Sequence, residues 1–80
     1  MDKTQVKIKL TEIFRDVFDD EAIEITETTT AEDIDGWDSV THLTLITETE
    51  RSFKMKFKMK EITGMKNVGE MIDIICARAK

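Results

Sequence analysis

Asp38, Ser39 and His42 fall within one helical turn in the stretch DIDGWDSVTH, residues 33–42. Three kinds of chemistry fit those side chains. A serine hydroxyl at a helix start can cap a free backbone N–H, and this is its ordinary use. The same hydroxyl can accept a covalent group, because the positive end of the helix dipole and its free N–H groups favour a phosphodiester there. Ser and His at i and i+3 share a helical face, which raises a hydrolytic dyad. The dyad is the weakest reading, since nothing supplies an oxyanion hole and the Gly-x-Ser-x-Gly elbow is absent.

Asp38 decides between the first two. It is a natural N-cap, which leaves Ser39 as the first helical residue with its hydroxyl toward solvent. Gly36 lets the chain turn tightly ahead of it. Metal chemistry does not fit. Reading AEDIDG as a calcium loop with Gly36 at the sixth position puts Ala31 first and His42 twelfth, where acidic ligands are required. One Cys and one His cannot make a zinc site.

The elements that must position these residues follow from periodicity. In residues 4–18, Val6, Leu10, Ile13 and Val17 recur at helical spacing, with Phe14 and Phe18 widening the face. Residues 19–38 are acidic, Thr-rich and aperiodic, with Ile23, Ile25 and Ile34 available to pin them to a core. A connection that long in a small domain is unusual and tends to be functional. Helical pattern returns over 39–52, with Leu45, Ile46 and Phe53 facing inward. Its threonines, at 41, 44, 47 and 49, are weak helix formers, so packing must hold the element.

Residues 53–60, FKMKFKMK, alternate like a strand, but no second clear strand exists to pair with them. The pattern predicts an extended loop whose Phe53 and Phe57 plug the core, with its lysines solvated, then a short helix near 60–63 ended by Gly64. The last helix is expected over 67–79, capped by Asn67 with Glu70 completing a capping box, and Val68, Met71, Ile72 and Ile75 as its stripe. Met55, Met59, Met65 and Met71 read as core filler, with a plastic apolar groove as the alternative, and Cys76 as a small buried hydrophobe. The expected fold is all-α: one domain over 1–80, with three main helices, one short helix and a long first loop.

Composition limits the function. Eighty residues make one small domain with little room for a deep substrate pocket. No apolar run is long enough to span a bilayer, and the start MDKTQVKIKL has no signal-peptide core. With one cysteine and no signal, a cytoplasmic monomer is expected. Residues 1–40 hold 12 Asp/Glu against 4 Lys/Arg, and residues 41–80 hold 8 Lys/Arg against 5 Asp/Glu. An acidic first half repels phosphate backbones, so neither nucleic acid nor membrane is an expected partner. Acidic surface suits basic docking faces instead.

Gly36-Trp37-Asp38-Ser39-Val40, opening a second helix about twenty residues after a first, resembles the Gly-x-Asp-Ser-Leu motif of acyl carrier proteins. The resemblance extends over the whole chain in length, helix order, long first loop and capped last helix. It implies a carrier and not an enzyme. Ser39 would hold 4′-phosphopantetheine, attached from coenzyme A by a separate Mg²⁺-dependent phosphopantetheinyl transferase, and the thiol of that arm would carry acyl groups as thioesters.

The resemblance also implies that Asp38 helps the transferase dock and that the second helix is read by acyl-loading and acyl-transferring enzymes. Val40, Leu43 and Thr47 would be its exposed face, and Asp38 and Glu50 would steer partners electrostatically. Three features depart from the family pattern: Val40 for Leu, Thr41 and Thr44 where acids are common, and lysines at 54, 56, 58 and 60. They point to a specialised carrier with its own partners rather than the general fatty-acid one, while the family resemblance implies fatty-acid or polyketide assembly as the setting. Two other readings stay open: a peptidyl or aminoacyl carrier, and an unmodified helical interaction module in which Ser39 is only a cap.

Overall fold

The computed structural model of the chain describes residues 2–79. Four α-helices, α1 (Lys3–Val17), α2 (Ser39–Phe53), α3 (Met59–Gly64) and α4 (Val68–Arg78), are joined by loops, with a 3₁₀ turn at Ala31–Asp33. No strand is present among the described residues, so the fold is all-α with three main helices and one short one. Helix–helix packing is concentrated in two pairs, α1 with α2 and α1 with α4.

The first helix is central because Val6, Leu10 and Phe14 are fully buried at four-residue spacing, with Ile13 beside them. Asp2 starts it by accepting the Gln5 N–H at 2.9 Å. Leu45, Ile46 and Phe53 of α2 and Val68, Met71, Ile72 and Ile75 of α4 close the core around it. The threonines of α2 turn their hydroxyls back onto the helix: those of Thr47 and Thr49 donate to the carbonyls of Leu43 and Leu45 at 2.9 and 2.7 Å. Thr49 is fully buried, and this bond is what makes its burial tolerable.

The long loop is ordered by three isoleucines and by the start of α4. Ile23, Ile25 and Ile34 are buried in the core. The N–H groups of Val68 and Gly69 donate to the carbonyls of Thr29 and Glu27, both at 2.9 Å, so two of the free donors of α4 are satisfied by the loop. Asn67 accepts the third, from Glu70, at 2.9 Å. Glu70 does not complete the expected capping box: its carboxylate reaches one residue further back and accepts the Lys66 N–H at 2.6 Å.

Residues 54–58 form an extended loop, not a strand. Lys54 ends α2 in the left-handed conformation, and the alternation then buries Met55 and Phe57 while Lys54, Lys56 and Lys58 face solvent. The alternation stops there, because α3 begins at Met59 and its turn carries that side chain outward, 70% exposed, where core filler was expected. Met65 and Cys76 are half-buried, not core residues. The short helix has no buried residue. A paired contact of Glu61 with the Arg78 guanidinium ties it to α4.

Candidate functional site

Ser39 is the first residue of α2 and is exposed. Asp38 caps the helix, its Oδ1 accepting the N–H groups of Val40 and Thr41 at 3.0 and 2.9 Å. Thr41 returns the contact: its Oγ accepts the Asp38 N–H at 2.8 Å and donates to the Gly36 carbonyl at 2.7 Å. With capping done by Asp38 and Thr41, the Ser39 hydroxyl takes no part in the capping bonds at the start of α2. The Asp38 carboxyl is held below the usual carboxylate range, chiefly by the Thr41 N–H; desolvation opposes this, and the Thr41 hydroxyl and Val40 N–H add smaller contributions in the lowering direction. It therefore stays ionised beside Ser39 at neutral pH.

The turn into the site needs its glycine. Gly36 has φ +88°, a conformation that side-chain-bearing residues rarely adopt. Trp37 then folds back against α1, 5.3 Å edge-on from Phe14 and 6.2 Å from Phe18 between ring centroids. It also stacks on His42, with centroids 5.9 Å apart. One residue before the cap and on the fourth of the helix, Trp37 and His42 occupy the two positions of a hydrophobic staple.

His42 has no nitrogen to spare. The Trp37 indole N–H can only donate, so Nδ1, 3.1 Å away, must accept it. Nε2 then carries the proton and donates to the Ile62 carbonyl at 3.0 Å. With both ring nitrogens engaged, His42 cannot take a proton from Ser39, and the Ser–His dyad is excluded.

A groove of about 540 Å³ opens directly beside Ser39. Trp37, His42 and Leu43 line one side, Ile62 and Met65 another, and Lys66 and Asn67 lie at the start of α4. Along α2 from this groove, Val40 and Leu43 are 73% and 56% exposed, large values for branched apolar side chains. Thr47 continues the stripe one turn on and is exposed as well. Glu50 is set apart: half-buried near the far end of α2, its Oε2 accepts the Phe57 N–H at 2.8 Å and anchors the lysine loop.

Thus Asp38, Ser39, Val40 and Leu43 are brought together at one end of α2, with Thr47 beyond them and Glu50 outside the group. The roles of Thr41 and His42, and the contributions of Ile62, Lys66 and Asn67 to the groove, are not apparent from the sequence, whereas a groove was the alternative role for Met65. The Asp-x-x-Thr spacing of Asp38 and Thr41 is a capping signal that could have flagged the first. The groove has no such signal, because it depends on where α3 folds back.

No protein-family model and no curated protein matches the chain. A solved structure does. It is the solution NMR structure of a holo acyl carrier protein from Geobacter metallireducens, 44% identical, with a TM-score of 0.86 over 91% of this chain and 84% of that one. The chain belongs to the acyl carrier protein family. It is a carrier protein, a class whose fold works through contact with enzymes. No helix among the described residues is long and apolar enough to cross a membrane.

Proposed function

We propose that this carrier holds acyl intermediates as thioesters on a 4′-phosphopantetheine group joined to the Ser39 hydroxyl, and presents them to partner enzymes. The observation that carries the proposal is the state of Ser39: exposed, and relieved of capping by Asp38 and Thr41. The 44% identical relative is named as a holo acyl carrier protein, which supports the same group here.

The residues present fit that group. Ser39 offers an oxygen at a helix N-terminus, where a phosphodiester is electrostatically favoured. The adjoining groove, apolar along Trp37, Leu43, Ile62 and Met65, suits a short acyl chain beside it. When bound, the group supplies a terminal thiol that carries the acyl cargo. This chain contributes position and recognition. Asp38 keeps the start of α2 rigid and negative for a phosphopantetheinyl transferase, while Val40, Leu43 and Thr47 present an apolar stripe to acyl-loading and acyl-transferring enzymes. Glu50 adds negative charge at the far end of that face while holding the loop. The proposed setting is the cytoplasm, as a monomer serving fatty-acid or polyketide assembly.

The deciding experiment is the intact mass of the purified chain before and after incubation with coenzyme A, Mg²⁺ and a broad-specificity phosphopantetheinyl transferase. The wild type gains one phosphopantetheine and Ser39→Ala gains none, with the helical circular dichroism of the two unchanged. A folded wild type that gains nothing from an active transferase makes Ser39 an ordinary helix residue and sinks the proposal.

A further inference from the structure

The groove beside Ser39 has one wall that rests only on the edge of the core, through the half-buried Ile62 and Met65. Helix α3 contributes Ile62 and Thr63, with Met65 just beyond it, yet none of its six residues is buried. A helix this short has no stability of its own in water and stays folded only through what it touches. Two polar ties stand out. Glu61 binds Arg78 and so fastens α3 to α4. On the groove side, the Ile62 carbonyl accepts from His42 Nε2, which fastens α3 to α2.

The second tie depends on a third residue. An imidazole presents a proton to Ile62 reliably only when its tautomer is set, and the Trp37 N–H on Nδ1 sets it. Trp37 is in turn fixed by its edge-on contact with Phe14 of α1 and a tilted contact with Phe18, just past the end of that helix. A continuous chain of contacts therefore runs from α1 through Trp37 and His42 to the backbone of α3, and its last three members, Trp37, His42 and Ile62, line the groove.

We propose that His42 is a positioning residue that latches α3 across the groove and sets how wide the space beside Ser39 is. With the latch made, Ile62 and Met65 stand opposite Trp37 and Leu43 and the groove takes a slender apolar chain. With it broken, α3 remains attached to α4 through Glu61 and Arg78 but parts from α2, and the groove admits bulkier apolar groups. The latch is a property of the unmodified chain. It rests on the functional reading only in that cargo on Ser39 would lie in this groove.

The test uses the full-length chain with Ser39 unmodified, so the mass experiment on the wild type can fail without touching it. Long-range ¹H–¹⁵N spectra near pH 8 should show His42 protonated on Nε2 alone; a ring protonated on Nδ1 overturns the latch, and this arm needs no variant. In His42→Leu, amide exchange at residues 61–64 should quicken about tenfold, the scale of one lost hydrogen bond, while Leu45 and Ile72 change by less than about twofold. His42→Gln, which can still accept from Trp37 and donate to Ile62, should recover part of that protection. Uptake of the neutral fluorophore N-phenyl-1-naphthylamine should rise severalfold in His42→Leu over the wild type. Exchange that quickens equally in all helices, or not at all, or fluorophore uptake that stays at the wild-type level, overturns the proposal.

Discussion

The Gly69 amide nitrogen lies 2.9 Å from the Glu27 carbonyl oxygen, and a β-carbon on residue 69 would sit 2.7 Å from that same oxygen. The hydrogen bond that closes the long loop onto α4 therefore exists only because residue 69 has no side chain. Gly69→Ala must push the loop backbone away or shift α4, and overpacking of this kind costs about 1–3 kcal/mol. A urea titration should show that loss. Gly64→Ala is the control: nothing lies within 4 Å of its added carbon, so stability should hold or rise by up to about 1 kcal/mol.

Lys54 ends α2 with φ 53° and ψ 50°, a left-handed conformation that costs a side-chain-bearing residue about 1–2 kcal/mol. Glycine adopts it freely but loses more entropy on folding. Lys54→Gly should therefore stabilise the chain by about 0.5–1 kcal/mol, seen as a higher melting temperature at unchanged helix content. A lower melting temperature would show that the lysine stem contributes packing that outweighs the backbone term.

The helices were legible in the sequence because their buried faces repeat: Val6, Leu10 and Phe14 on α1, or Val68, Met71, Ile72 and Ile75 on α4, mark one side of a cylinder unambiguously. The exposed, non-capping position of Ser39 was legible for a different reason, since Asp38 is the better cap. The strand-like alternation of residues 53–60 reported burial truthfully at Phe53, Met55 and Phe57, but says nothing of a pairing partner, and Met59 breaks it once α3 starts. His42, Gly69 and Glu61 were hidden because each acts on a residue 17 to 42 positions away, on Ile62, Glu27 and Arg78. Local pattern cannot encode such contacts.

Thr49 is fully buried, and its hydroxyl donates to a Leu45 carbonyl that α2 already engages through its own backbone. Removing the hydroxyl therefore orphans nothing, while burying it carries a desolvation cost. Thr49→Val should leave stability unchanged or raise it by up to about 1 kcal/mol. Thr49→Ser keeps the bond but loses a buried methyl, and should cost about 1 kcal/mol. Chemical denaturation of the two side by side checks the order; Val less stable than Ser would mean the hydroxyl holds something beyond its own helix.

Two carboxylates, one capping α2 and one on α3, give the fold a shared acid dependence. The Asp38 carboxyl is lowered chiefly by the Thr41 N–H, and the Glu61 carboxyl chiefly by its hydrogen bonds from Arg78, then by the Lys58 N–H. A carboxyl whose folded pKa is below its unfolded value adds stability above the ordinary carboxylate range of about 4, and that stability disappears as pH falls through the lowered folded value. Melting temperature should therefore be flat from about pH 7 to 5 and fall below about pH 4. Asp38→Asn and Glu61→Gln start lower at neutral pH and fall less steeply, because each has already lost one of the two contributions. Amide exchange separates them: acid should loosen the first turn of α2 in Glu61→Gln and the residues of α3 in Asp38→Asn. Both groups are partly solvated, so added salt should shrink the Glu61–Arg78 contribution. Variants that track the wild type at every pH would show that neither carboxylate is coupled to folding.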